Sequence, residues 1–211
     1  MKTEIIEIHP RNPQNRTVNY VVKKIISGAV IIFPTDSGFS IGSNIRNKKA
    51  VESIRKIRNL SKDHDFTLMI NSISQIGKFA KLDNDAFRVL KRVLPGPYTF
   101  ILEARKNISS MLVHPKKKTI GIRISNNLIL EAILRELDDP IMSVSLIIEG
   151  YDFFNTDDIL KVCNNKVDIV IKSEFSPPDP TTVIDLSKRP YELRRIGAGD
   201  INFFNEVSNE N

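Results

Sequence analysis

The stretch Gly28-Ala29-Val30-Ile31-Ile32-Phe33-Pro34-Thr35-Asp36-Ser37-Gly38-Phe39-Ser40-Ile41-Gly42 decides how this chain is read. It opens as an uncharged apolar run, breaks into small polar residues, and returns to apolar ones. An apolar run bounded by glycine and proline predicts a buried strand. Pro34 lacks an N–H and has a fixed φ, which predicts that the hydrogen-bond ladder ends there. Thr35, Asp36 and Ser37 then bring hydroxyls and a carboxylate to a strand end, where open α/β sheets place ligands. An ordinary strand followed by a loop accounts for the same residues equally well.

Outward from this stretch, strand and helix patterns alternate. Glu4 to Ile8 alternates as a half-exposed strand. Asn15 to Ser27 carries Val18, Val21, Val22, Ile25 and Ile26 at helical spacing and meets a stop at Gly28. Asn47 to Leu60 is a second helix, with Asn47 as its cap and Ala50, Val51, Ile54 and Ile57 as its buried stripe. A strand at Phe66 to Ile70 precedes helices over 73–80 and 83–93. The turn Leu94-Pro95-Gly96-Pro97-Tyr98-Thr99 leads into a strand at Phe100 to Ala104. Further strands are predicted over 119–124, 140–147 and 167–171, with helices at 128–136 and 157–163 between them. Thr181 to Leu186 and Tyr191 to Ile196 read as a closing strand pair, and the polar tail from Phe203 to Asn211 as a frayed end. With no repeat and no clear linker, this order predicts one α/β domain over 1–211 with a mixed, twisted sheet flanked by helices.

The bulk numbers exclude several classes. The chain has 211 residues, 41% of them hydrophobic and 27% charged, enough for a substantial core. The single Cys163 forms no internal disulfide, which fits a cytoplasmic setting. The first residues carry acids and do not read as a signal peptide. No apolar run approaches the roughly 18 residues of a membrane span. The net charge of +6 favours anionic partners such as nucleotides or RNA, and also serves plain solubility.

Neither common phosphate-cradling glycine loop occurs, and His9, His64 and His114 show no metal-ligand spacing, so they read as surface or loop residues. Hydroxyls and cations at strand ends remain. Lys56 and Arg58 close a helix, where they either compensate its dipole or leave it together to meet a phosphate. Arg123 lies on the same side of its strand as Thr119 and Gly121. Ser143 and Ser145 share a strand face. Thr181 and Thr182 follow Pro177-Pro178-Asp179-Pro180, and Arg195 precedes Gly197. Lys116-Lys117-Lys118 is a solvated loop or an RNA phosphate contact. Phe153-Phe154 and Phe203-Phe204 fit core packing better than base stacking.

Five of these strings, taken in order, carry a resemblance. Pro34-Thr35-Asp36-Ser37-Gly38-Phe39-Ser40-Ile41-Gly42 resembles the Pro-Thr-Asp/Glu-Thr/Ser-x-Tyr/Phe-x-Leu/Ile-Gly signature of the YrdC family, the threonylcarbamoyladenylate synthases. Pro95-Gly96-Pro97-Tyr98-Thr99 resembles its Pro-Gly-Pro-x-Thr segment, and Thr119-x-x-x-Arg123 its Thr-x-x-x-Arg strand. Pro180-Thr181-Thr182-Val183-Ile184-Asp185 is similar to its Pro-Ser-Thr-Val-Val-Asp, and Arg195-Ile196-Gly197 to its Arg-x-Gly. The likeness runs from about residue 15 to 200. Phe66-Thr67-Leu68-Met69 and Met142-Ser143-Val144-Ser145-Leu146 resemble the YciO branch, and Lys56-Ile57-Arg58 matches the family's Lys-x-Arg, while the alignment of Lys62 is open. Ser143-Val144-Ser145 stands where the synthases carry Ser-x-Asn.

The resemblance implies a sheet with a central cavity. It implies a reaction joining threonine, bicarbonate and ATP into threonylcarbamoyl-AMP and pyrophosphate, which feeds tRNA modification. ATP would be a substrate, with Mg2+ held through its phosphates rather than by a protein metal site. Lys56 and Arg58 would serve catalysis and, with Arg195, hold phosphates. Thr35, Arg123 and Thr181 would bind threonine, and Thr119, Ser143 and Ser145 would line the nucleotide. The alternative implied by the fold is a double-stranded RNA-binding protein with weak or no synthase activity.

Overall fold

The computed structural model describes residues 2–61, 63–173 and 179–204. In chain order it contains β1 (Glu4–Ile6), α1 (Asn15–Ile26), β2 (Ile31–Thr35), β3 (Gly38–Asn44), α2 (Lys48–Ile57), β4 (Thr67–Met69), α3 (Ile76–Phe79, after a 3-10 turn at Ile73–Gln75), α4 (Asn84–Val93), β5 (Tyr98–Glu103), β6 (Thr119–Arg123), α5 (Leu128–Leu137), β7 (Ile141–Ser145), α6 (Thr156–Cys163), β8 (Ile169–Ile171), β9 (Thr182–Asp185) and β10 (Glu192–Arg195). The strands join in one mixed, twisted sheet of order β1-β8-β2-β3-β7-β4-β6-β5-β9-β10. Lys62, Pro177, Pro178 and the tail over 205–211 lie outside the described residues.

The focal stretch is a hairpin, which corrects the expectation that the ladder ends at Pro34. β2 runs through Pro34 to Thr35 and pairs antiparallel with β3, with Pro34 opposite Phe39 and Thr35 opposite Gly38. The reason is directional. The Val30 carbonyl accepts from the β8 side, so by period two the missing N–H of Pro34 also faces that side. Pairing with β8 stops at Ile32, and no donor is needed there.

Helix boundaries follow local chemistry. Asn47, Asp83, Asn127 and Asn155 each accept a backbone N–H from the first turn of α2, α4, α5 and α6. Gly28, at φ +94°, turns the chain out of α1 into β2. α1 buries Val18, Val21, Val22 and Ile25, while Ile26, expected in the same stripe, is exposed. α1 and α5 pack together over Ile31, Phe33, Met69 and Ile141 on one face of the sheet. The other face carries Ile32, Ile41, Leu68, Phe100, Ile122 and Ile184 against α2, α4 and α6. Phe203 and Phe204 are buried there with Phe153, as core packing of these pairs predicts and against a frayed start at Phe203. His114 lies in a loop, as expected, yet is buried, and its Nδ1 accepts the backbone N–H groups of Lys116 and Lys117. No helix among the described residues is long and apolar enough to cross a membrane.

Candidate functional site

Residues paired across neighbouring strands share a face. Ser40 on β3 lies opposite Ser145 on β7, and Thr67 on β4 opposite Ser143. Gly121 on β6 lies opposite Thr67, which puts Thr119 and Arg123 on the same side. The register continues through Thr99 on β5 to Val183 on β9 and Arg195 on β10. One sheet face therefore gathers Thr35, Ser40, Thr67, Thr99, Thr119, Arg123, Ser143, Ser145 and Arg195. The alternate residues of the same strands are the aliphatic core.

A flat sheet would keep Thr35 and Arg123 apart. They sit on β2 and β6, four strand steps away from each other, or about 19 Å at roughly 4.8 Å per step. Yet the Arg123 guanidinium donates to Thr35 Oγ1 at 3.1 Å. The sheet must curl around its polar face, and α5 fills one end of the concavity. Arg123 also forms an ion pair with Asp36, and its side chain is only 3% exposed. The Ser125 hydroxyl donates to Asp36 Oδ1 at 2.6 Å, and the Asn126 N–H to Oδ2 at 3.0 Å. Burial pushes the Asp36 carboxyl up, but Arg123, Ser125 and Asn126 outweigh it and hold it below the usual carboxylate range. Burial lowers the Arg123 pKa, Asp36 opposes that, and the positive charge of Arg195 adds to it. Two guanidinium groups thus converge on one site.

Arg195 donates from Nε to the Thr181 carbonyl at 2.9 Å and from its terminal nitrogen to Thr181 Oγ1 at 3.0 Å. Thr181 Oγ1 lies 2.9 Å from Thr99 Oγ1. The approach depends on Gly197, where an added Cβ would fall 2.1 Å from the Pro180 carbonyl oxygen. Arg58 ends α2 and donates from Nε to the Ser145 carbonyl at 2.8 Å. Burial lowers its pKa, and the nearby Cys163 raises it. The Lys56 side chain is exposed in the last turn and makes no hydrogen bond or ion pair among the described residues.

The structure thus joins Thr35 to Arg123, Thr181 to Arg195 and Ser145 to Arg58. It puts Thr119 and Ser143 on the same face without joining them to these arginines, and leaves the exposed Lys56 side chain, two residues before Arg58, without a partner among the described residues. Asp65 was missed by the sequence reading, because it belongs to no motif. Alternation back from Thr67 places it on the polar face, and that pattern was its only signal. Buried side-chain atoms without a partner, among the described residues, are Asp65 Oδ1, Thr119 Oγ1 and Arg123 Nε. All three belong to this face. Native structures leave few such atoms, and a ligand is one reason to leave them. A cavity of about 310 Å³ opens beside Thr35, lined by Pro34, Asn127 and Lys172. A larger one, of about 630 Å³, borders Val51, Leu68 and Phe79 and shares no residue with the polar set.

The Sua5/YciO/YrdC family model, described as "Telomere recombination", matches residues 23–197. The chain is 40% identical over 204 residues to the uncharacterized protein YciO of Escherichia coli, covering 96% of this chain and 99% of that protein. The crystal structure of E. coli YciO matches with a TM-score of 0.91 at 39% identity, over 95% of this chain and 98% of that chain. A putative threonylcarbamoyl-AMP synthase of Methanocaldococcus jannaschii is 31% identical over 195 residues, covering 89% of this chain and 91% of that protein. Sua5 of P. abyssi, in a crystal structure complexed with L-threonine, shares the fold, with a TM-score of 0.89 at 22% identity over 97% of this chain and 61% of that one. The motifs of the opening hairpin and the closing strands, the curled sheet and these matches agree: the chain belongs to the Sua5/YciO/YrdC family.

Proposed function

We propose that this protein binds ATP and L-threonine on the polar face and joins threonine, bicarbonate and ATP into threonylcarbamoyl-AMP, releasing pyrophosphate, as a step toward tRNA threonylcarbamoyladenosine. The observation that carries this reading is Arg123. It is buried, held by Thr35 and Asp36 on one side, and has an unpartnered Nε on the other. A substrate carboxylate satisfies such a guanidinium, and a second cation at Arg195 suits a phosphate beside it. The relatives support the same reading, since they include a putative threonylcarbamoyl-AMP synthase and a Sua5 complexed with L-threonine.

The chemistry asks for positioning more than for a nucleophilic side chain. The threonine amine takes up bicarbonate with loss of water to form a carbamate. A carbamate oxygen then attacks the α-phosphorus, and pyrophosphate leaves. Both partners are anions, so cations and oriented donors lower the barrier. Arg123, with Thr35 and Thr181 as hydroxyl partners, holds the threonine carboxylate. Arg195, Arg58 and Lys56 offset phosphate charge, and Thr119, Ser143 and Ser145 line the nucleotide. Asp36 is committed to Arg123, and magnesium would enter with ATP, held through its phosphate oxygens and shielding their charge.

The test is pyrophosphate release with ATP, Mg2+, threonine and bicarbonate. Release that needs both threonine and bicarbonate, and collapses in Arg58→Ala or Lys56→Ala, supports the reading. No release, together with salt-sensitive double-stranded RNA or tRNA binding lost when Lys116, Lys117 and Lys118 are neutralised, overturns it in favour of the RNA-binding alternative.

A further inference from the structure

We infer that Asp65, flanked by Thr119 and Ser145, is the ribose-diol subsite of the polar face, and that it makes the protein selective for ribonucleotides. The inference rests on the nucleotide reading above and names the part of the nucleotide that this corner takes.

The placement follows from register. Thr67 lies opposite Ser143 on one side and Gly121 on the other. Two residues earlier on the same face, Asp65 falls in line with Ser145 and Thr119. Asp65 Oδ1 and Thr119 Oγ1 are both buried without a partner. Asp65 is half-buried, and its Oδ1 is shielded from water with nothing to accept from; such an oxygen is costly, so the position is explained by a donor that arrives with a ligand. A cation is disfavoured as that donor, because Arg58 already lies against the Ser145 carbonyl and Arg55 stacks over Phe66, the next residue after Asp65. A neutral group with more than one O–H fits best. The 2′,3′-diol of a ribose offers two hydroxyls to one carboxylate, the way an acidic residue takes the ribose of dinucleotides in doubly wound folds. The flanking threonine and serine hydroxyls suit a sugar better than a base, which asks for flat apolar walls.

The experiment measures the affinity of ATP, 2′-deoxy-ATP and 3′-deoxy-ATP by calorimetry for the wild type, Asp65→Ala and Asp65→Asn. Loss of either hydroxyl is expected to weaken wild-type binding about tenfold or more, as for hydrogen bonds to a charged group. Asp65→Ala is expected to bind all three equally and weakly, with Asp65→Asn in between. Asp65→Ala should keep or raise the melting temperature, since it removes a buried carboxylate oxygen that has no partner, so weak binding is not a folding defect. If the wild type binds all three alike, or if Asp65→Ala still discriminates, the inference fails while the nucleotide reading stands. If the wild type binds no ATP, the nucleotide reading itself fails and takes the inference with it.

Discussion

The two faces of the sheet are built from the same strands and differ in what they leave unfinished. On one face, Ile32, Ile41, Leu68, Phe100, Ile122 and Ile184 are fully buried under helices. On the other, one end is closed by α1 and α5, and the remainder carries hydroxyls, Asp65, Arg123 and Arg195. The first face satisfies itself by packing. Among the described residues, the second holds three buried polar atoms with no partner. On the proposed function, stability falls to the dry face and binding to the polar one, and substitutions on the two should separate accordingly.

The sharpest break is expected at Arg123. Arg123→Met should reduce threonine-dependent pyrophosphate release by about 10²–10³, the scale seen when an oriented charge-stabilising group is removed. It should also destabilise the fold by about 3–5 kcal/mol, because Asp36 is left buried and unpaired. Adding Asp36→Asn should restore much of the melting temperature and none of the turnover. If the single variant keeps its threonine dependence, the polar face is not the amino-acid site.

The dry face should do the opposite. Leu68→Ala is expected to cost about 2–5 kcal/mol by chemical denaturation while leaving the KM for threonine within about twofold. A change in KM larger than the change in stability would mean that the two faces are coupled.

Acid titration sharpens the comparison. The Asp36 carboxyl sits below its ordinary value in the fold. Its contribution is therefore present above the unfolded value of about 3.9 and is lost as pH falls through the lower folded value. As pH falls from about 4 toward the lower folded value, Asp36→Asn should lose less melting temperature than the wild type. Identical acid limbs would refute the stabilising pair.

The smallest effect is expected at Ser145, whose backbone carbonyl rather than hydroxyl engages Arg58. Ser145→Asn should keep or raise turnover in the pyrophosphate assay. A large drop would show that the polar face needs a hydroxyl there.

Much of this was legible in the residue order. Apolar periodicity marked α1 and α2, and Asn47 and Gly28 marked their boundaries. Pro34 misled, because a proline is harmless to a ladder when its missing donor faces a side with no partner strand. Phe203 and Phe204 fitted core packing, as the structure bears out, and only the polar residues after them suggested a frayed start there. Asp65 escaped because a single acid between His64 and Phe66 has no pattern of its own until strand register gives it neighbours.

By itself the sequence determined which side of each strand a residue takes, since side chains alternate with period two. That is enough to put Ser143 with Ser145, Thr119 with Arg123, and the aliphatic residues opposite them. Only the tertiary structure decided that Thr35 and Arg123 touch. They are 88 positions apart, on strands with three others between them, and their contact depends on strand order and on the curl of the whole sheet. Curl is a sum of small twists over many pairings, and no local stretch of sequence carries it.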